Sequence, residues 1–430
     1  MKKIYNPDKR EWAELLKRPT QTFDDIEEIV KEVFRDVELN GEDAVQKYTN
    51  RFDKIKVENS LVSEGEIEEA VDLVSEDLKR AIILAKNNIE KFHRSQICQS
   101  KKIKTSEGVV CWQEKRAIQK VGLYIPGGTA PLFSTILMLA IPAKIADCQK
   151  VILCSPPNIE GKIHPAILYT ADLCGIKEIY KIGGIQAIAA MTFGTIKVPK
   201  VYKIFGPGNQ YVTIAKLVAQ QYGLAIDMPA GPSELLVVTD DSANASFVAS
   251  DLLSQAEHGK DSQVILVSTS KKMMELVEKE VIMQLEQLPR KEIAQVAISN
   301  SKMIYCMNDQ QAIDIINEYA PEHFIICSKN EDFYIKNIQN VGSVFIGSYT
   351  PESAGDYASG TNHTLPTNAF ARNYNGVNLD SFLRSVTFQK ISKKGIQNIG
   401  PAIELMAEAE GLQAHKNAVS LRLKSIDNEI

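Results

Sequence analysis

A regular alternation of short apolar runs and segments of helical periodicity constrains the fold of this chain more than any other feature. Residues 151–157 (VILCSPP), 178–184 (EIYKIGG) and 201–209 (VYKIFGPGN) are strand-like, and a helical pattern follows each of them. These units recur about every thirty residues, which is the size of a strand–helix–strand unit. The sequence therefore predicts an α/β fold built on parallel strands.

A second block of the same kind follows residues 230–234 (AGPSE). Its strand-like runs are 235–240 (LLVVTD), 264–270 (VILVSTS), 323–329 (HFIICSK) and 342–347 (GSVFIG). Two such blocks predict two Rossmann-like parallel-sheet domains with a cleft between them, because ligands of such sheets bind where strands end and helices begin.

Helical patterns are predicted at both ends of the chain. One runs from Asp24 to about Gln96, and the other begins past Asn375 and includes residues 381–388 (SFLRSVTF). The second forms an extended helical C-terminal tail that is too short to bury a core of its own. We therefore expect the tail to lie on another domain or on another subunit.

Composition and charge exclude several classes of protein. The 430 residues are 44% hydrophobic and 24% charged, with a formal net charge of -5. An acidic balance argues against nucleic acid or an anionic membrane as the main partner, since both favour a basic surface. The first residues lack the apolar core of a secretory signal, and no window approaches a membrane span. The sequence predicts a cytoplasmic protein.

The seven cysteines are odd in number, widely spaced and free of CxxC pairs. Neither a disulfide framework nor a thiolate zinc site is therefore indicated. Cys111, Cys148 and Cys154 are weighed as nucleophiles, because an aldehyde can be oxidised through a thiohemiacetal on cysteine. A reactive thiolate needs an electropositive setting, and none of the three has a histidine nearby in sequence, so most cysteines are predicted to be small core residues.

Glycines follow the predicted strands of the first block, at Gly127 and Gly128, at Gly183 and Gly184, and at Gly206 and Gly208. Such a turn lets the backbone approach a phosphate at the start of the next helix. The full G-x-G-x-x-G pattern is absent, since Asn209 follows Gly208. A nucleotide site and a plain connection both remain open on spacing alone.

Residues 252–263 (LLSQAEHGKDSQ) place Gln255 and His258 one helical turn apart. Ser242 is the predicted N-cap of this helix, and Gly259 suits its end. The apolar stripe consists of Val248, Leu252 and Ala256, so Asp251, Gln255 and His258 should face whatever packs over the helix end. A metal site and an ordinary boundary histidine are both compatible with this pattern.

Three later segments favour a shared chemical site. They are residues 320–324 (APEHF), 348–367 and 407–423, and each joins a histidine to nearby Asp, Glu or Gln. With residues 252–263 they contain four of the six histidines, His258, His323, His363 and His415. Histidines and carboxylates together supply metal ligands and proton carriers.

These four segments, with residues 121–135 (VGLYIPGGTAPLFST), 183–190 (GGIQAIAA), 205–212 (FGPGNQYV) and AGPSE, resemble the histidinol dehydrogenase family. The resemblance extends from about Asp24 to Leu423. One departure is Lys260, where relatives often carry proline after the EHG or EHD turn; it puts local rigidity in doubt rather than activity.

The resemblance implies oxidation of L-histidinol to L-histidine, through histidinal, with two molecules of NAD, as the last steps of histidine biosynthesis. It implies Glu322 and His323 as general bases, against the plainer alternative that Glu322 merely begins a strand after Pro321. The implied zinc ligands are Gln255, His258, Asp356 and His415, with one Zn²⁺ per subunit. The implied NAD contacts are Tyr124, Gln186 and Asn209, and the implied substrate contacts are Ser233, Gln255, His258, His323, Asp356, His363, Glu410 and His415.

The family supplies the last zinc ligand from the partner subunit, which implies a homodimer with shared active sites. The predicted domains are an N-terminal helical segment (1–23), a discontinuous α/β metal and catalytic domain (24–123 plus 234–375), an inserted α/β NAD-binding domain (124–233) and a helical dimerisation tail (376–430). The alternatives are a dehydrogenase of another amino or sulfonated alcohol, a zinc hydrolase, and a metal-binding protein without activity. Ser233 is the weakest assignment by type, because a serine after Gly-Pro equally suits a turn.

Overall fold

A computed structural model describes residues 1–19, 24–57, 59–127, 131–229 and 231–428. The chain divides into two compact units. The larger unit joins Met1–Gln96 to Ile118–Phe382, and the smaller joins Ile97–Ala117 to Leu383–Ile430. Among the described residues, no helix combines the length and the apolar character that crossing a bilayer requires.

The strands are numbered in chain order. They are β1 (Lys2–Tyr5), β2 (Ile103–Ser106), β3 (Val109–Ala117), β4 (Lys120–Tyr124), β5 (Lys150–Ser155), β6 (Glu178–Lys181), β7 (Lys203–Phe205), β8 (Ala225–Ile226), β9 (Glu234–Thr239), β10 (Gln263–Ser268), β11 (Lys302–Tyr305), β12 (His323–Cys327), β13 (Ser343–Ile346) and β14 (Leu383–Ile391).

The α-helices are numbered in the same way. They are α1 (Trp12–Leu15), α2 (Asp24–Asn40), α3 (Glu42–Tyr48), α4 (Glu64–Leu73), α5 (Glu76–Arg94), α6 (Phe133–Ile145), α7 (Pro165–Leu173), α8 (Gly184–Phe193), α9 (Gln210–Gln221), α10 (Ala245–Ala256), α11 (Lys271–Leu285), α12 (Lys291–Ser299), α13 (Asp309–Tyr319), α14 (Glu331–Asn337), α15 (Glu352–Tyr357), α16 (Lys393–Ala409) and α17 (Gln413–Asp427). Short turns of other helix types lie at Lys9–Glu11, Thr49–Asp53, Phe370–Arg372 and Leu379–Phe382.

The first sheet of the larger unit is parallel, with strand order β6-β5-β4-β7-β8. Helix α2 packs against it through Val30, Val33, Phe34 and Val37, whose spacing places them on one helix face. These side chains share a core with Ile204 of β7. Helix α2 therefore shares the core of this sheet, whereas the predicted domain layout grouped residues 24–123 with the second one. That four-part division stays a prediction.

The second sheet is also parallel, with order β1-β11-β10-β9-β12-β13. Its central strand β9 is buried throughout, as expected of a parallel strand with both faces covered. The predicted N-terminal helical segment begins instead with β1. This strand pairs with β11 from Lys2 to Tyr5 and occupies the sheet edge, where it satisfies backbone groups that would otherwise be exposed. The predicted α/β class with two parallel sheets is confirmed.

The smaller unit contains an antiparallel sheet of order β14-β3-β2, together with α16 and α17. The prediction that residues 381–388 are helical was wrong, because β14 pairs with β3 over its whole length. Phe388 lies opposite Trp112, and their rings stack with centroids 5.2 Å apart. Cross-strand aromatic pairs of this kind stabilise a sheet. The tail thus obtains its partner strands from residues 103–117.

Candidate active site

The candidate bases lie at the amino end of a strand in the second sheet. Glu322 immediately precedes β12, and His323 is its first residue. Because His323 pairs with Leu235 of β9, the start of β9 brings Ser233 and Glu234 beside the two bases. The prediction that ligand-binding residues follow strand carboxyl ends therefore does not hold in this sheet.

The nucleotide candidates of the first sheet do lie at strand carboxyl ends. Tyr124 ends β4, Gly183 and Gly184 follow β6, and Gly206 follows β7. A cavity of about 120 Å³ lies between the turn at Gly206 and the residues at the start of β9 and β12. Its wall includes Gly206, Pro207, Gly208, Ser233, Glu322 and His363. Carboxyl ends of one sheet thus face amino ends of the other across one cavity.

The imidazole of His323 is buried and surrounded by oxygen atoms. Its Nδ1 lies 3.2 Å from the carbonyl oxygen of Glu234, 3.3 Å from Glu352 Oε1 and 3.6 Å from Glu322 Oε2. Its Nε2 lies 3.6 Å from Asp356 Oδ1. Burial alone would lower the pKa of His323, but the nearby carboxyls of Glu322, Glu352 and Asp356 together raise it well above its ordinary value.

Glu322 accepts a hydrogen bond from the backbone N–H of Glu234 at 2.9 Å. Burial raises the pKa of its carboxyl to about 7, against the opposing effect of His323. A carboxyl with a pKa near the working pH can both take up and release a proton, which suits a general base. Glu322 and His323, the two bases that the family resemblance implies, are therefore adjacent and electrostatically coupled.

Two further buried carboxyl groups lie in this region: the sequence reasoning missed Glu352, whereas it placed Asp251 on the same helix face as Gln255 and His258. Glu352 lies on α15 four residues before Asp356, and burial raises its pKa well above the ordinary value. Asp251 lies on α10, and burial raises its pKa to about 7. The spacing of Glu352 and Asp356 on one helix face could have identified the first of them.

A metal site is compatible with the residues around Asp356. His323, Glu352 and Asp356 offer ligand atoms that all lie within 4.8 Å of one another. Gln255 is fully buried, and neither atom of its amide has a hydrogen-bond partner among the residues that the structure describes. A buried amide without partners is costly unless another group satisfies it. The predicted ligand Gln255 therefore fits a cation.

His258 follows the end of α10, and its N–H donates to the carbonyl oxygen of Gln255 at 3.2 Å. The residue is exposed as a whole. Desolvation around the imidazole nevertheless lowers its pKa, and the Asp356 carboxylate opposes that change. An uncharged imidazole is the form that binds a metal. Three of the four predicted ligands thus lie on or beside two helices: Gln255 on α10, His258 just after α10, and Asp356 on α15.

Glu410 and His415 lie in the smaller unit. Glu410 caps the end of α16, His415 lies in the first turn of α17, and both are exposed. Their contributions to the substrate and metal sites stay predictions.

His363 is held by two hydrogen bonds. Its Nδ1 lies 2.7 Å from the carbonyl oxygen of Asp356, and its Nε2 lies 3.1 Å from Thr135 Oγ1. Burial lowers the pKa of this imidazole. Because the same residue lines the cavity, its predicted substrate role is compatible with its position.

The three predicted NAD contacts belong to the first sheet and its helices. Tyr124 is buried, its hydroxyl accepts a hydrogen bond from the N–H of Gly184, and burial raises its pKa to about 12. The amide nitrogen of Gln186 donates to Asp53 Oδ2 at 3.0 Å. Asn209 caps α9 by accepting from the N–H of Val212. Gly128 lies outside the described residues.

Two of the three cysteines weighed as nucleophiles do not have a suitable setting. Cys154 is buried in β5, and burial raises its pKa. Burial also raises the pKa of Cys148, to about 12. Both shifts favour the unreactive thiol. Cys111 lies half-buried in β3 of the smaller unit.

The helix that carries Gln255 begins later than predicted. Asn244, not Ser242, is the N-cap of α10, since its side chain accepts from the N–H groups of Ser246 and Phe247. The predicted apolar stripe is confirmed, because Val248, Leu252 and Ala256 are all buried. Lys260, the departure noted in the sequence, is exposed beyond the helix end.

Comparison with known proteins identifies the family. The family model described as histidinol dehydrogenase matches residues 16–423. The chain is 56% identical over 426 residues to the histidinol dehydrogenase of Bacteroides thetaiotaomicron, covering 99% of this chain and 100% of that protein. It is 49% identical to the Campylobacter jejuni enzyme, covering 98% of each chain.

A solved structure agrees with these relatives. The crystal structure of histidinol dehydrogenase from Elizabethkingia anophelis superposes with a TM-score of 0.98 at 56% identity, and 99% of each chain is covered. Such agreement over the full length confirms the resemblance found in the sequence. The chain belongs to the histidinol dehydrogenase family of oxidoreductases.

Proposed function

We propose that this protein oxidises L-histidinol to L-histidine in two successive transfers of hydride to NAD, with histidinal as the intermediate. One observation carries the proposal. Glu322 lines a cavity whose other wall is a glycine turn of the first sheet, and the adjacent His323 belongs, with Glu352 and Asp356, to a group suited to a cation. The family assignment supplies the substrate.

The chemistry determines what the site residues must do. The first step converts the primary alcohol and NAD to the aldehyde, NADH and a proton. Water then adds to the aldehyde, and the hydrate with a second NAD gives the carboxylic acid, NADH and another proton. Each oxidation therefore needs a group that removes a proton from oxygen while hydride leaves the adjacent carbon.

Glu322 and His323 are the proposed general bases. Glu322 lines the cavity, and its raised pKa of about 7 lets it accept a proton and pass it on. Its position beside His323 couples the two groups, so protonation of one changes the other. We assign Glu322 to activation of the water that hydrates the aldehyde. We assign His323 to proton removal from the substrate oxygen; because its pKa is raised, the imidazole must first pass its own proton to a neighbouring carboxylate.

Zinc is the proposed metal, with Gln255, His258, Asp356 and His415 as ligands, because it accepts mixed nitrogen and oxygen ligands. When bound, it would anchor the imidazole and amine nitrogens of the substrate. The remaining proposed substrate contacts, from the list given by the family resemblance, are Ser233, His363 and Glu410. Gln186, Tyr124 and Asn209 are the proposed contacts to NAD.

A homodimer with shared sites is part of the proposal. Helices α16 and α17 expose Leu405, Met406 and Leu421, each about two-thirds accessible. Exposed apolar side chains of this size on neighbouring helices are typical of a protein interface. If His415 reaches the site of a partner subunit, mixing inactive His258→Ala and His415→Ala chains under subunit exchange should restore activity. Mixed chains that stay inactive would count against shared sites.

The deciding experiment counts NADH. Zinc-loaded protein with L-histidinol and excess NAD should form two NADH per substrate, followed at 340 nm. One NADH per substrate would contradict the two-step reaction, and none would contradict the proposal as a whole. Other amino alcohols and sulfonated alcohols are tested at the same concentrations. Faster NADH formation with one of them than with histidinol would favour the alternative that the enzyme is a dehydrogenase of that alcohol. A cytoplasmic location also belongs to the proposal and is tested by cell fractionation.

A further inference from the structure

Glu234 contacts both proposed bases through its main chain. Its N–H donates to Glu322 Oε2 at 2.9 Å, and its carbonyl oxygen lies 3.2 Å from Nδ1 of His323. One peptide segment at the start of β9 therefore sets the direction of two side chains, that of Glu322 just before β12 and that of His323 at its first position. Any rotation of this segment would move both hydrogen bonds at once.

The side chain of Glu234 is held by Arg18. The guanidinium contacts both carboxylate oxygens, and the Nη2–Oε2 distance is 2.8 Å. Arg18 Nη2 also donates to the carbonyl oxygen of Tyr319 at 2.7 Å, and the N–H of Asn368 donates to Glu234 Oε1 at 2.7 Å. The pair is nearly inaccessible, since the exposed side-chain fractions are 12% for Arg18 and 2% for Glu234.

The contact between Arg18 and Glu234 depends on the orientation of the guanidinium as well as on its charge. Burial raises the pKa of the Glu234 carboxyl and Arg18 opposes that change, while the contact of one fork with two oxygens is the geometry of an ionised pair. The guanidinium carbon of Arg18 also lies 4.1 Å from the centre of the Tyr319 ring. A lysine could supply the charge but not the two parallel hydrogen bonds or the stacking.

Arg18 reaches this place because the N-terminal segment is anchored. Trp12 of α1 and Leu16 are buried in the core of the second sheet. Arg18 follows them by a few residues, in a region to which the sequence assigned no chemistry. Removing the guanidinium would leave a buried carboxylate without its cation, and such a group must move or take up a proton.

We propose that Arg18 and Glu234 are positioning residues for the two bases, with Arg18 fixing the Glu234 segment that orients Glu322 and His323. The inference rests on the proposed function, because Arg18 and Glu234 act only through the two proposed bases and perform no chemistry themselves. Its consequence is that loss of Arg18 lowers kcat more than it weakens the binding of histidinol.

The test compares Arg18→Met, Arg18→Lys and Glu234→Gln with the wild type. Arg94→Met is the matched control, because Arg94 forms an exposed ion pair with Glu90 on α5. We expect kcat to fall by about 10²-fold in Arg18→Met, as for small displacements of catalytic groups, with a smaller fall in Arg18→Lys. The dissociation constant of histidinol, measured by calorimetry on zinc-loaded protein without NAD, should stay close to wild type.

A double-variant cycle separates positioning from a general structural effect. If Arg18 acts through Glu322, Arg18→Met should lower kcat about tenfold less in a Glu322→Gln background than in the wild type. Equal losses in both backgrounds, or an unchanged kcat in Arg18→Met, would overturn the inference. If Arg18→Met does not fold, Arg18→Lys and Glu234→Gln are put through the same cycle and decide it. Unchanged turnover in Glu322→Gln alone would instead refute the proposed base.

Discussion

A buried ion pair under the glycine turn of the first sheet offers a quantitative test of what holds the cavity wall. Lys216 of α9 contacts Asp227, and the exposed side-chain fractions are 3% and 1%. Lys216 Nζ also donates to the carbonyl oxygen of Gly206 at 2.9 Å, while the N–H of Gly206 donates to Asp227 Oδ2 at 2.8 Å. Both polar groups of Gly206 are therefore fixed by this pair.

The change Lys216→Met keeps the side-chain volume and removes the charge. Breaking a buried pair on one side costs about 3–5 kcal/mol, because the other charge stays buried and unpaired. Asp227 keeps the N–H groups of Gly206 and Met228, so we expect a loss near 3 kcal/mol. Each kcal/mol corresponds to about 2–4 °C in domains of 150–250 residues and to less in larger ones, so Tm should fall by about 5 °C.

Thermal and urea unfolding, followed by circular dichroism, measure this loss in Lys216→Met, Asp227→Asn and the double variant. The double variant should be more stable than the sum of the single losses predicts, because neither charge is left alone. NAD binding should weaken in both single variants, since the turn before Asn209 loses its support. The reasoning that the pair stabilises the turn would be refuted if each single variant lost less than about 1 kcal/mol of unfolding free energy. It would also be refuted if the loss in the double variant equalled the sum of the two single losses.

Three further predictions concern the site and its surroundings. Glu322→Gln should retain histidinol and zinc binding while kcat falls by about 10²- to 10⁴-fold, and unchanged steady-state turnover would refute the base assignment. Burial raises the pKa of Asp53 to about 6, so the folded state binds its proton more tightly and stability falls as pH rises from about 4 to 6. Asp53→Asn should therefore be more stable than wild type by about 1 kcal/mol at pH 8, with no gain below pH 4, as measured by urea unfolding. Exhaustive chelation should abolish NADH formation and added zinc should restore it; full activity of the metal-free protein would exclude the ligand set.

The sequence predicted those parts of the fold that depend on local patterns. The run from Leu235 to Val238 is apolar and β-branched, and it becomes a buried central strand as its composition predicts. The stripe of Val248, Leu252 and Ala256 likewise becomes the buried face of α10. The N-cap was placed two residues early, at Ser242, because several adjacent polar residues can cap a helix.

The missed features depend on contacts between distant segments. Strand β14 was predicted to be helical because its partner, β3, lies far away in sequence and leaves no local signal. Glu352 becomes part of the site only when α15 is brought beside β12, and Arg18 only when the N-terminal segment is brought beside the start of β9. Of the candidate site, residue identities could be inferred from the family resemblance, whereas the hydrogen bonds that orient them required the structure.

Strand β1 imposes an order on folding during synthesis. Its residues pair with Lys302 to Tyr305 of β11, so this segment must wait until some 300 further residues have been translated. Arg18 faces the same delay, because its partner strand end and Tyr319 are made much later. The first sheet, whose strands lie between residues 120 and 226, can assemble in the meantime. Closure of the second sheet by β1 is thus a late event that completes the support of the catalytic residues.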